Sequence, residues 1–296
     1  MADKVELTNL DKVFWPKLGI TKGDLVDYYR QMADIILPYL ADRPHSLLRQ
    51  PGGIKGESFF QKNVDHAPPK WLKTIKIRAE STGEDVHYLV CKDLDHLLYM
   101  VQLGCIEINP WNSRVGHLNK PDWLILDLDP VGIGFDKVIE TALVVKKVCD
   151  ELKILSFPKT SGKTGIHVYI PTKASYKYEI VRPFARKLAS LINQRTSDFT
   201  SVERSPSRRR GKVYVDFLQN SEGQTLAAPY SVRPTQEATI STPLHWDEVR
   251  QGLDPTDFSL NNISIRLDEV GDVWKTIWKG EIDIEQLEKS IIELSK

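Results

Sequence analysis

The chain has few cysteines, no excess of charge of either sign and no long apolar run. Its three cysteines, Cys91, Cys105 and Cys149, are far apart and form no C-x-x-C pair. This sparse set argues against a disulfide framework and predicts reduced thiols that pack as small apolar side chains. Lys plus Arg and Asp plus Glu both number 40, so any nucleic-acid site must be a local patch rather than a global field.

No segment has the composition of a membrane anchor or a secretion signal. The apolar runs fall well short of the roughly 18 residues that a membrane helix needs, and the N-terminal MADKVELTNLDK contains no apolar signal core. With 41% hydrophobic and 27% charged residues, the chain of 296 residues has a globular composition and can bury a sizeable core without cross-links. We therefore expect a soluble cytoplasmic protein with no membrane partner.

Helical and strand patterns alternate along the chain, with no internal repeat and no low-complexity linker. Thr21-Lys-Gly-Asp24 is a capping box that begins a helix, residues 135–152 have helical apolar spacing, and Pro183 can start another helix. The remaining predicted elements are strands at 72–78, 86–91 and 97–101, a turn-rich segment at 44–62, a polar connection at 109–121, and a C-terminal helix with Ile284, Leu287, Ile291 and Leu294. This mixture predicts an α/β or α+β fold.

The stretch DWLILDLDP carries two aspartates at the end of an apolar run. Side chains alternate across a strand, so Leu126 and Leu128 point to one face while Asp127 and Asp129 point to the other. The leucines therefore suit a core, and the aspartates suit an open surface of the same sheet.

Two later strands repeat this alternation. Ile166-His-Val-Tyr-Ile170 places His167 opposite its apolar face, and Val213-Tyr-Val-Asp-Phe217 does the same with Asp216. If the three strands are neighbours in one sheet, helices cover the apolar side. The other side then gathers three aspartates and one histidine in an open cleft, as antiparallel or mixed sheets permit.

Three clustered carboxylates repel one another, and divalent cations relieve that repulsion. Oxygen ligands suit Mg²⁺ or Mn²⁺, and two such ions suit phosphoryl transfer. The alternative is that each aspartate forms a turn at the end of a strand and has its own salt bridge. The strand patterns alone leave both interpretations open.

The loop PKTSGKTG, residues 158–165, has the composition of a phosphate-binding turn. Glycines, hydroxyls and lysines can cradle phosphate oxygens, mainly through backbone N–H groups. A Walker A motif is excluded because Phe157 stands where its first glycine belongs and because the loop leads into a strand. His167 follows closely and can donate to a phosphate. A plain β-turn with a structural histidine is the alternative.

Two further features are candidates for contacts with nucleic acid. A basic run precedes the strand that bears Asp216, and it comprises Arg204, Arg208, Arg209, Arg210 and Lys212. It suits a polyphosphate or a nucleic-acid backbone, although a solvated loop has the same composition. The aromatic pair Phe59-Phe60 lies in a glycine-rich polar segment, where it serves either as a stacking platform for a base or as a plug of the core.

Together these motifs resemble the primase-polymerases of the archaeo-eukaryotic primase superfamily. The similarity is closest to the polymerase module of bacterial ligase D and its stand-alone archaeal relatives in non-homologous end joining. The motifs that carry it extend over nearly the whole chain: Leu10-Asp-Lys12, Thr21-Lys-Gly-Asp24, Ser58-Phe-Phe-Gln-Lys62, Asp127-Leu-Asp-Pro130, Thr160-Ser-Gly-Lys-Thr-Gly-Ile-His167, Gly211-Lys-Val-Tyr-Val-Asp216 and Ala228-Pro-Tyr-Ser-Val-Arg-Pro234.

The resemblance implies one catalytic domain over residues 1–296 with an α+β fold. Its central, largely antiparallel sheet carries the acidic residues on an open face, with helices packed behind. The part up to about residue 110 would bind the DNA 5′-phosphate and the template, and the part from about residue 111 onward would form the catalytic core.

The resemblance also implies a role for each candidate residue. The implied roles are metal binding and catalysis for Asp127, Asp129 and Asp216, triphosphate binding for Ser161, His167, Arg233 and Lys212, 5′-phosphate binding for Lys12 and Lys22, and template contact for Phe59, Phe60 and Arg49. The family usually has histidine where this chain has Asn109 in the nucleotide site. Asparagine forms hydrogen bonds but carries no positive charge, so triphosphate binding or its pH dependence would differ here.

The implied activity is template-dependent nucleotide addition that fills gaps and extends ends in double-strand break repair. It would prefer ribonucleotides over deoxyribonucleotides and use two Mn²⁺ or Mg²⁺ ions. The implied partners are gapped or broken DNA with a 5′-phosphate, a Ku-type end binder, and a separate ligase, because the chain has no K-x-D-G motif. The expected state is a mostly monomeric prokaryotic protein of the cytoplasm that joins the nucleoid when on DNA, with two copies pairing across a break.

Three other classes of protein share part of this pattern. A D-x-D glycosyltransferase also holds a metal with such aspartates, but it has no use for Asp216, the basic run, Lys12 or Lys22. A non-catalytic DNA-end-binding module would not need all three acids. A replicative primase subunit often carries a cysteine-rich zinc site, which this sequence lacks.

Overall fold

The computed structural model describes residues 4–64, 67–79 and 83–294. Residues 1–3, at the start of the stretch for which an apolar signal core is not expected, lie outside the described part. Within the described ranges, no helix is both long enough and apolar enough to cross a bilayer.

The first part of the chain builds a five-stranded sheet with three helices against it. Its elements in order are β1 (Val13–Trp15), β2 (Ile20–Thr21), α1 (Lys22–Gln31), α2 (Ala33–Leu40), β3 (Pro44–Arg49), β4 (Phe59–Gln61), β5 (Thr74–Arg78), β6 (Asp85–Val90), α3 (Leu94–Gln102) and β7 (Cys105–Pro110). The sheet has the order β4-β3-β6-β5, and β7 also pairs with β3. The strands β1 and β2 form a separate two-stranded sheet.

The second part builds another five-stranded sheet, in the order β11-β12-β8-β10-β9. Its elements are β8 (Trp123–Val131), α4 (Phe135–Glu151), β9 (Phe157–Thr160), β10 (Ile166–Pro171), α5 (Tyr178–Arg195), β11 (Thr200–Ser201), β12 (Lys212–Asp216), α6 (Ile263–Val270) and α7 (Ile284–Leu294). All its strand pairs are antiparallel except β11 with β12. The predicted α+β fold with antiparallel sheets is therefore confirmed.

One face of the central strands of the second sheet is apolar along its whole length. Leu126 and Leu128 of β8, Val168 of β10 and Val213 of β12 share one buried cluster with the apolar sides of α4 and α5. The three strands are neighbours, which is the condition for the predicted cleft, and the helices cover the side away from the aspartates.

A second core and a buried ion pair join the two parts. This core includes Tyr29 of α1 together with Trp123 and Tyr169 of the second sheet. Arg43, which is fully buried, forms an ion pair with Asp122 and lies 4.3 Å from the centre of the Trp123 ring. An unpaired guanidinium would be costly here, so the pair fixes how the first part meets β8.

The sequence correctly predicts the first helix and the long fourth one. Thr21 Oγ1 accepts a hydrogen bond from the backbone N–H of Asp24, and the Asp24 carboxylate accepts one from the N–H of Thr21, which closes the capping box. The helix predicted at 135–152 is α4. The strands predicted at 72–78 and 86–91 are β5 and β6, each within two residues at either end.

Three predicted segments are wrong. The supposed strand at 97–101 is part of α3, which Asp93 caps by accepting from the N–H of His96; a short apolar run that is buried on all sides does not reveal its period. The segment at 44–62, predicted as turns, contains β3 and β4. The helix predicted to start at Pro183 begins at Tyr178 and contains the proline in its second turn.

Candidate active site

Four polar residues form a row across the open face of the second sheet. Adjacent strands place them at paired positions in the order Lys159 on β9, His167 on β10, Asp127 on β8 and Asp216 on β12. Asp129 lies two residues further along β8, on the same face as Asp127, and is paired with Tyr214. The sequence prediction that the three aspartates and His167 share one face is thus confirmed, and Lys159 extends the row.

The carboxylates of this row repel one another in a poorly hydrated place. Burial raises the pKa of Asp127 well above its usual range, and the charges of Asp129 and Asp216 raise it further. Burial likewise raises the pKa of Asp129, followed by repulsion from Asp216. Among the described residues, none of the three pairs with a lysine or an arginine within salt-bridge distance, so separate salt bridges are not what neutralises them.

His167 faces Asp127 directly. Its Nε2 lies 3.3 Å from Asp127 Oδ1, although this buried oxygen has no hydrogen bond of good geometry. Burial, together with the nearby charges of Lys159 and Arg233, lowers the pKa of His167 well below its usual value. The imidazole is therefore neutral at physiological pH, so it supplies no positive charge to Asp127 Oδ1.

Asp216 is held by its own strand end. Its carboxylate accepts from the backbone N–H of Leu218 at 2.7 Å and from the Tyr214 hydroxyl at 3.3 Å. Over the ranges that the structure describes, no three His, Cys, Asp or Glu side chains are close enough to enclose one ion as they stand. The chemistry of the site still fits a hard divalent cation, because three repelling carboxylates and an unsatisfied buried oxygen need positive charge.

A pocket of about 210 Å³ lies beside the row. Its walls include seven residues singled out in the sequence, which are Phe60, Asn109, Asp127, Asp129, Ser161, His167 and Arg233. Lys163 and Thr164 of the predicted phosphate-binding loop also line it, and the lining residues that the sequence did not reveal are Glu107, Thr225, Leu226 and Ala227. Acids on one side and an arginine with a glycine-rich turn on another make this pocket able to receive a phosphate chain with its cations.

The turn between β9 and β10 is organised by Ser161. Its Oγ accepts from the backbone N–H groups of Lys163, at 3.1 Å, and Gly165, at 2.9 Å. Neither bond uses the hydroxyl proton, which can therefore be donated to a ligand. Gly162 has a φ of +75°, and a Cβ there would lie 2.6 Å from Cγ of Arg233, so only glycine allows the arginine to pack on this turn.

Arg233 is the main cation of the pocket, and Glu107 is its partner. The Nη1 of Arg233 donates to the Ser161 carbonyl at 2.7 Å, and its Nε lies 2.9 Å from Oε2 of Glu107. The ammonium of Lys163 is 3.8 Å from the same carboxylate oxygen. Glu107 lies two residues before Asn109 on β7, so the alternation that reveals the aspartates would have revealed Glu107 if β7 had been recognised as a strand.

Lys159 belongs to the segment 158–165 that the sequence predicts as a loop, but it lies on the strand β9. It is 0% exposed and donates to the Ser241 hydroxyl. Burial and the charge of Arg233 lower its pKa well below the usual value. Its position opposite His167 could have been found from the sequence only with the pairing of β9 and β10.

Lys212 and the basic run do not line this pocket. The ammonium of Lys212 donates to the Ser197 carbonyl at 2.6 Å. Arg209 packs its guanidinium 3.6 Å from the centre of the Tyr214 ring, and its charge opposes the raised pKa of Asp129. Of the basic run, Arg209 therefore comes nearest to the acidic row.

A second pocket, of about 240 Å³, brings together Lys12, Lys22 and Arg49. The ammonium of Lys22 donates to the Thr8 carbonyl and to Gln102 Oε1. Burial and the neighbouring charge of Lys12 lower the pKa of Lys22. Three cations around one cavity attract an anion, so the predicted grouping of the two lysines is present, with Arg49 as a third member.

The two phenylalanines of β4 have different surroundings. Phe60 is 60% exposed and lines the first pocket, whereas Phe59 is 38% exposed and lies 5.2 Å from the Arg49 guanidinium. Arg49 also donates to Gln61 Oε1 and to the Leu103 carbonyl. The alternative that the pair plugs the core is wrong, and adjacent strand residues point to opposite faces, so the pair does not form one flat platform.

The fold and this arrangement of acids, phosphate-sized pocket and cationic pocket define a protein of the primase-polymerase class. Residues 21–274 match the family described as LigD, primase-polymerase domain, and the chain belongs to this family.

Relatives in several bacteria share the similarity. The chain is 32% identical over 271 residues to the bifunctional non-homologous end joining protein LigD of Bacillus subtilis, which covers 90% of this chain and 43% of that protein. It is 31% identical over 276 residues to the multifunctional LigD protein of Mycolicibacterium smegmatis, which covers 92% of this chain and 36% of that protein. The chain thus spans less than half the length of these two relatives.

The fold is also that of a solved polymerase domain. The polymerase domain from Mycobacterium tuberculosis ligase D, in complex with DNA, superposes with a TM-score of 0.86 at 29% identity. The match covers 93% of this chain and 98% of that one.

Proposed function

We propose that the protein is a template-dependent nucleotidyltransferase that fills gaps and extends DNA ends in non-homologous end joining. The observation that carries this proposal is the acidic row beside a pocket whose other walls hold Arg233, Ser161 and His167. Carboxylates for cations thus adjoin donors for phosphates, as the transfer of a nucleotide requires. Membership of the LigD primase-polymerase family supports the same conclusion.

In this proposal Asp127, Asp129 and Asp216 hold two Mn²⁺ or Mg²⁺ ions. When bound, the ions supply Lewis acidity that lowers the pKa of a primer 3′-hydroxyl and neutralises charge on the triphosphate. The role of the three aspartates is to stay ionised and oriented for that purpose. Because the pKa values of Asp127 and Asp129 are raised, protons compete with the ions for the oxygens of these two carboxylates.

The remaining pocket residues bind the incoming nucleotide. Arg233 and the Ser161 hydroxyl donate to phosphate oxygens, and His167 offers a neutral imidazole beside Asp127. Asn109, buried on β7, donates to the Glu107 carbonyl and gives the pocket an uncharged donor. Lys212 serves the nucleotide only if its side chain turns away from the Ser197 carbonyl on binding.

The second pocket receives the 5′-phosphate at the far side of a gap or break. Lys12 and Lys22 supply the charge, and a phosphate would offset the repulsion between them. Arg49 lies between this pocket and Phe59. Phe60 is placed to stack on a base at the mouth of the nucleotide pocket, while Phe59 and Arg49 contact the template strand.

The proposed partners are DNA with a phosphorylated gap or end, NTPs or dNTPs, a Ku-type end binder and a separate DNA ligase. The protein would be mostly monomeric in solution, with two copies pairing across a break. The setting is the prokaryotic cytoplasm and, on DNA, the nucleoid. In the same proposal, the protein adds ribonucleotides in preference to deoxyribonucleotides.

Primer extension on a 5′-phosphorylated gapped duplex tests the proposal. We expect addition of one templated nucleotide, faster with NTPs than with dNTPs and faster with Mn²⁺ than with Mg²⁺. Binding of the gap without any addition would leave only an end-binding module. Metal-dependent hydrolysis of a nucleotide-sugar without addition would favour a glycosyltransferase instead.

A further inference from the structure

Glu107 places a third carboxylate in the nucleotide pocket, beside those of Asp127 and Asp129, and it comes from the first sheet rather than from the sheet of the acidic row. Its strand β7 is buried along its whole length, and Glu107 itself is 5% exposed. A buried carboxylate must be compensated by positive partners. Its partners are Arg233, with Nε at 2.9 Å, and Lys163, with Nζ at 3.8 Å.

These contacts hold the guanidinium of Arg233 at two of its three nitrogens. Nη1 donates to the Ser161 carbonyl at 2.7 Å. The Nε–H of Arg233 is not directed closely enough at Glu107 for a hydrogen bond, so this second contact is a short ion pair. Within the described residues Nη2 donates to no partner, and Arg233 lines the pocket, so Nη2 is the nitrogen left for a ligand.

We propose that Glu107 is a positioning residue for triphosphate recognition and acts through Arg233; this inference rests on the proposed function, which makes the ligand a nucleoside triphosphate. Glu107 comes from the first sheet, and the Ser161 turn comes from the second. The arginine is therefore oriented by both sheets before the nucleotide arrives. A long side chain held in advance loses less freedom when the phosphate binds.

The opposite role for Glu107 is a competitor that occupies Arg233 and must be displaced by the triphosphate. The geometry favours positioning, because the carboxylate contacts Nε and leaves Nη2 uncovered. The two roles predict opposite effects for Glu107→Gln, which removes the charge and keeps the shape. Positioning predicts weaker triphosphate binding, and competition predicts tighter binding.

The test compares the affinities of UTP and UMP for the full chain, measured by equilibrium dialysis with labelled nucleotide and Mg²⁺. UMP lacks the β- and γ-phosphates, so a defect that acts through a phosphate-contacting arginine lowers UTP affinity alone. We expect Glu107→Gln to reduce the UTP-to-UMP affinity ratio by about tenfold, and Glu107→Asp by about threefold. Glu281→Gln, which alters an exposed ion pair with Lys173, should leave the ratio unchanged.

A double-mutant cycle then asks whether Glu107 acts through Arg233. In an Arg233→Met background, Glu107→Gln should change UTP affinity by less than about twofold. Full additivity of the two changes, tighter UTP binding by Glu107→Gln, or an equal loss of UTP and UMP would each overturn the inference. Glu107→Asp keeps the charge, so it serves as the test if Glu107→Gln fails to fold.

The outcomes separate this inference from the proposed function. A wild type that binds UTP but extends no primer removes the proposed function, and the affinity ratio still decides the role of Glu107. A wild type that extends a primer while Glu107→Gln keeps its ratio removes the role of Glu107 alone. A wild type that binds no UTP removes both.

Discussion

Asp127 and His167 face each other across the two central strands of the second sheet, with Asp127 Oδ1 3.3 Å from His167 Nε2. Neither group carries a charge easily at this position. Burial raises the pKa of the carboxyl and lowers the pKa of the imidazole. An ionised Asp127 therefore destabilises the folded protein unless a cation binds beside it. Buried carboxyl groups of this kind are typical of functional sites.

Without bound metal, the variant Asp127→Asn should be more stable than the wild type. The raised pKa of Asp127 means that the folded state favours the protonated form, so this group stabilises the protein below its unfolded pKa and loses that contribution as pH rises through its folded pKa. Asparagine has no such loss. In EDTA at pH 8 we expect the free energy of unfolding of Asp127→Asn to be about 1–3 kcal/mol higher than that of the wild type.

Urea denaturation at pH 5 and at pH 8 measures this difference. The gain should be larger at pH 8 than at pH 5, because Asp127 is more fully ionised at the higher pH. A variant that is less stable than the wild type at both pH values would show that the carboxylate is not under strain.

Mn²⁺ should raise the melting temperature of the wild type, and more at pH 8 than at pH 6. Asp127 and Asp129 must lose their protons to bind a cation, and their pKa values are raised, so protons compete as pH falls. Thermal unfolding with and without Mn²⁺ gives the shift. Asp127→Asn is the control, and Mn²⁺ should raise its melting temperature much less. An equal increase in the variant would show that Mn²⁺ binds at another site.

Substitution of both Lys12 and Lys22 by alanine should abolish the preference for a 5′-phosphorylated gap. Each lysine contributes a charge to the same pocket, and loss of each phosphate contact should lower the slope of log affinity against log salt by roughly 1. Binding of phosphorylated and unphosphorylated gapped duplexes, measured by fluorescence anisotropy, gives the preference. We expect about a tenfold preference in the wild type and none in the double variant.

Lys17→Ala is the matched control for charge, because Lys17 is exposed and does not line the pocket. It should keep the preference for the phosphorylated gap. Equal binding of the two duplexes by the wild type would refute the assignment of this pocket.

Gly162→Ala should weaken triphosphate binding, because the added Cβ would lie 2.6 Å from Cγ of Arg233. The positive φ adds strain of about 1–2 kcal/mol for any other residue. Gly271→Ala is the control: its φ of +66° also strains any other residue, and nothing lies within 4 Å of the added Cβ. Both variants should lose stability in thermal unfolding, but only Gly162→Ala should lose UTP affinity; equal UTP affinity in both would show that packing on Arg233 is unimportant.

The acidic row could be predicted from the sequence because polar and apolar side chains alternate along its strands with period two. Asp127, Asp216 and His167 each lie between apolar residues that pack in one core. The alternation therefore predicts both the strand and which of its faces is polar. The first helix was equally readable, because its capping box is local.

The positions of Glu107 and Lys159 in the site could not be predicted from the sequence, for a different reason. The sequence does not predict strands at β7 or β9, so it assigns no shared face to the side chains along them. The run 97–101 shows the same difficulty, since its apolar side chains suit a strand as well as the helix that forms. Pairing between distant strands, and the contact of Glu107 with Arg233, follow from the tertiary fold rather than from any local pattern.

The central claim is that the acidic row transfers nucleotides, and single-nucleotide addition tests it most directly. The measurement is incorporation of labelled UMP opposite adenine on a 5′-phosphorylated gap with Mn²⁺, for the wild type, Asp127→Ala and Asp216→Ala, with gap affinity measured in parallel. The account predicts addition by the wild type and none by either variant, while all three bind the gap with similar affinity. Retained addition by Asp127→Ala, or none by a wild type that binds the gap, would contradict it.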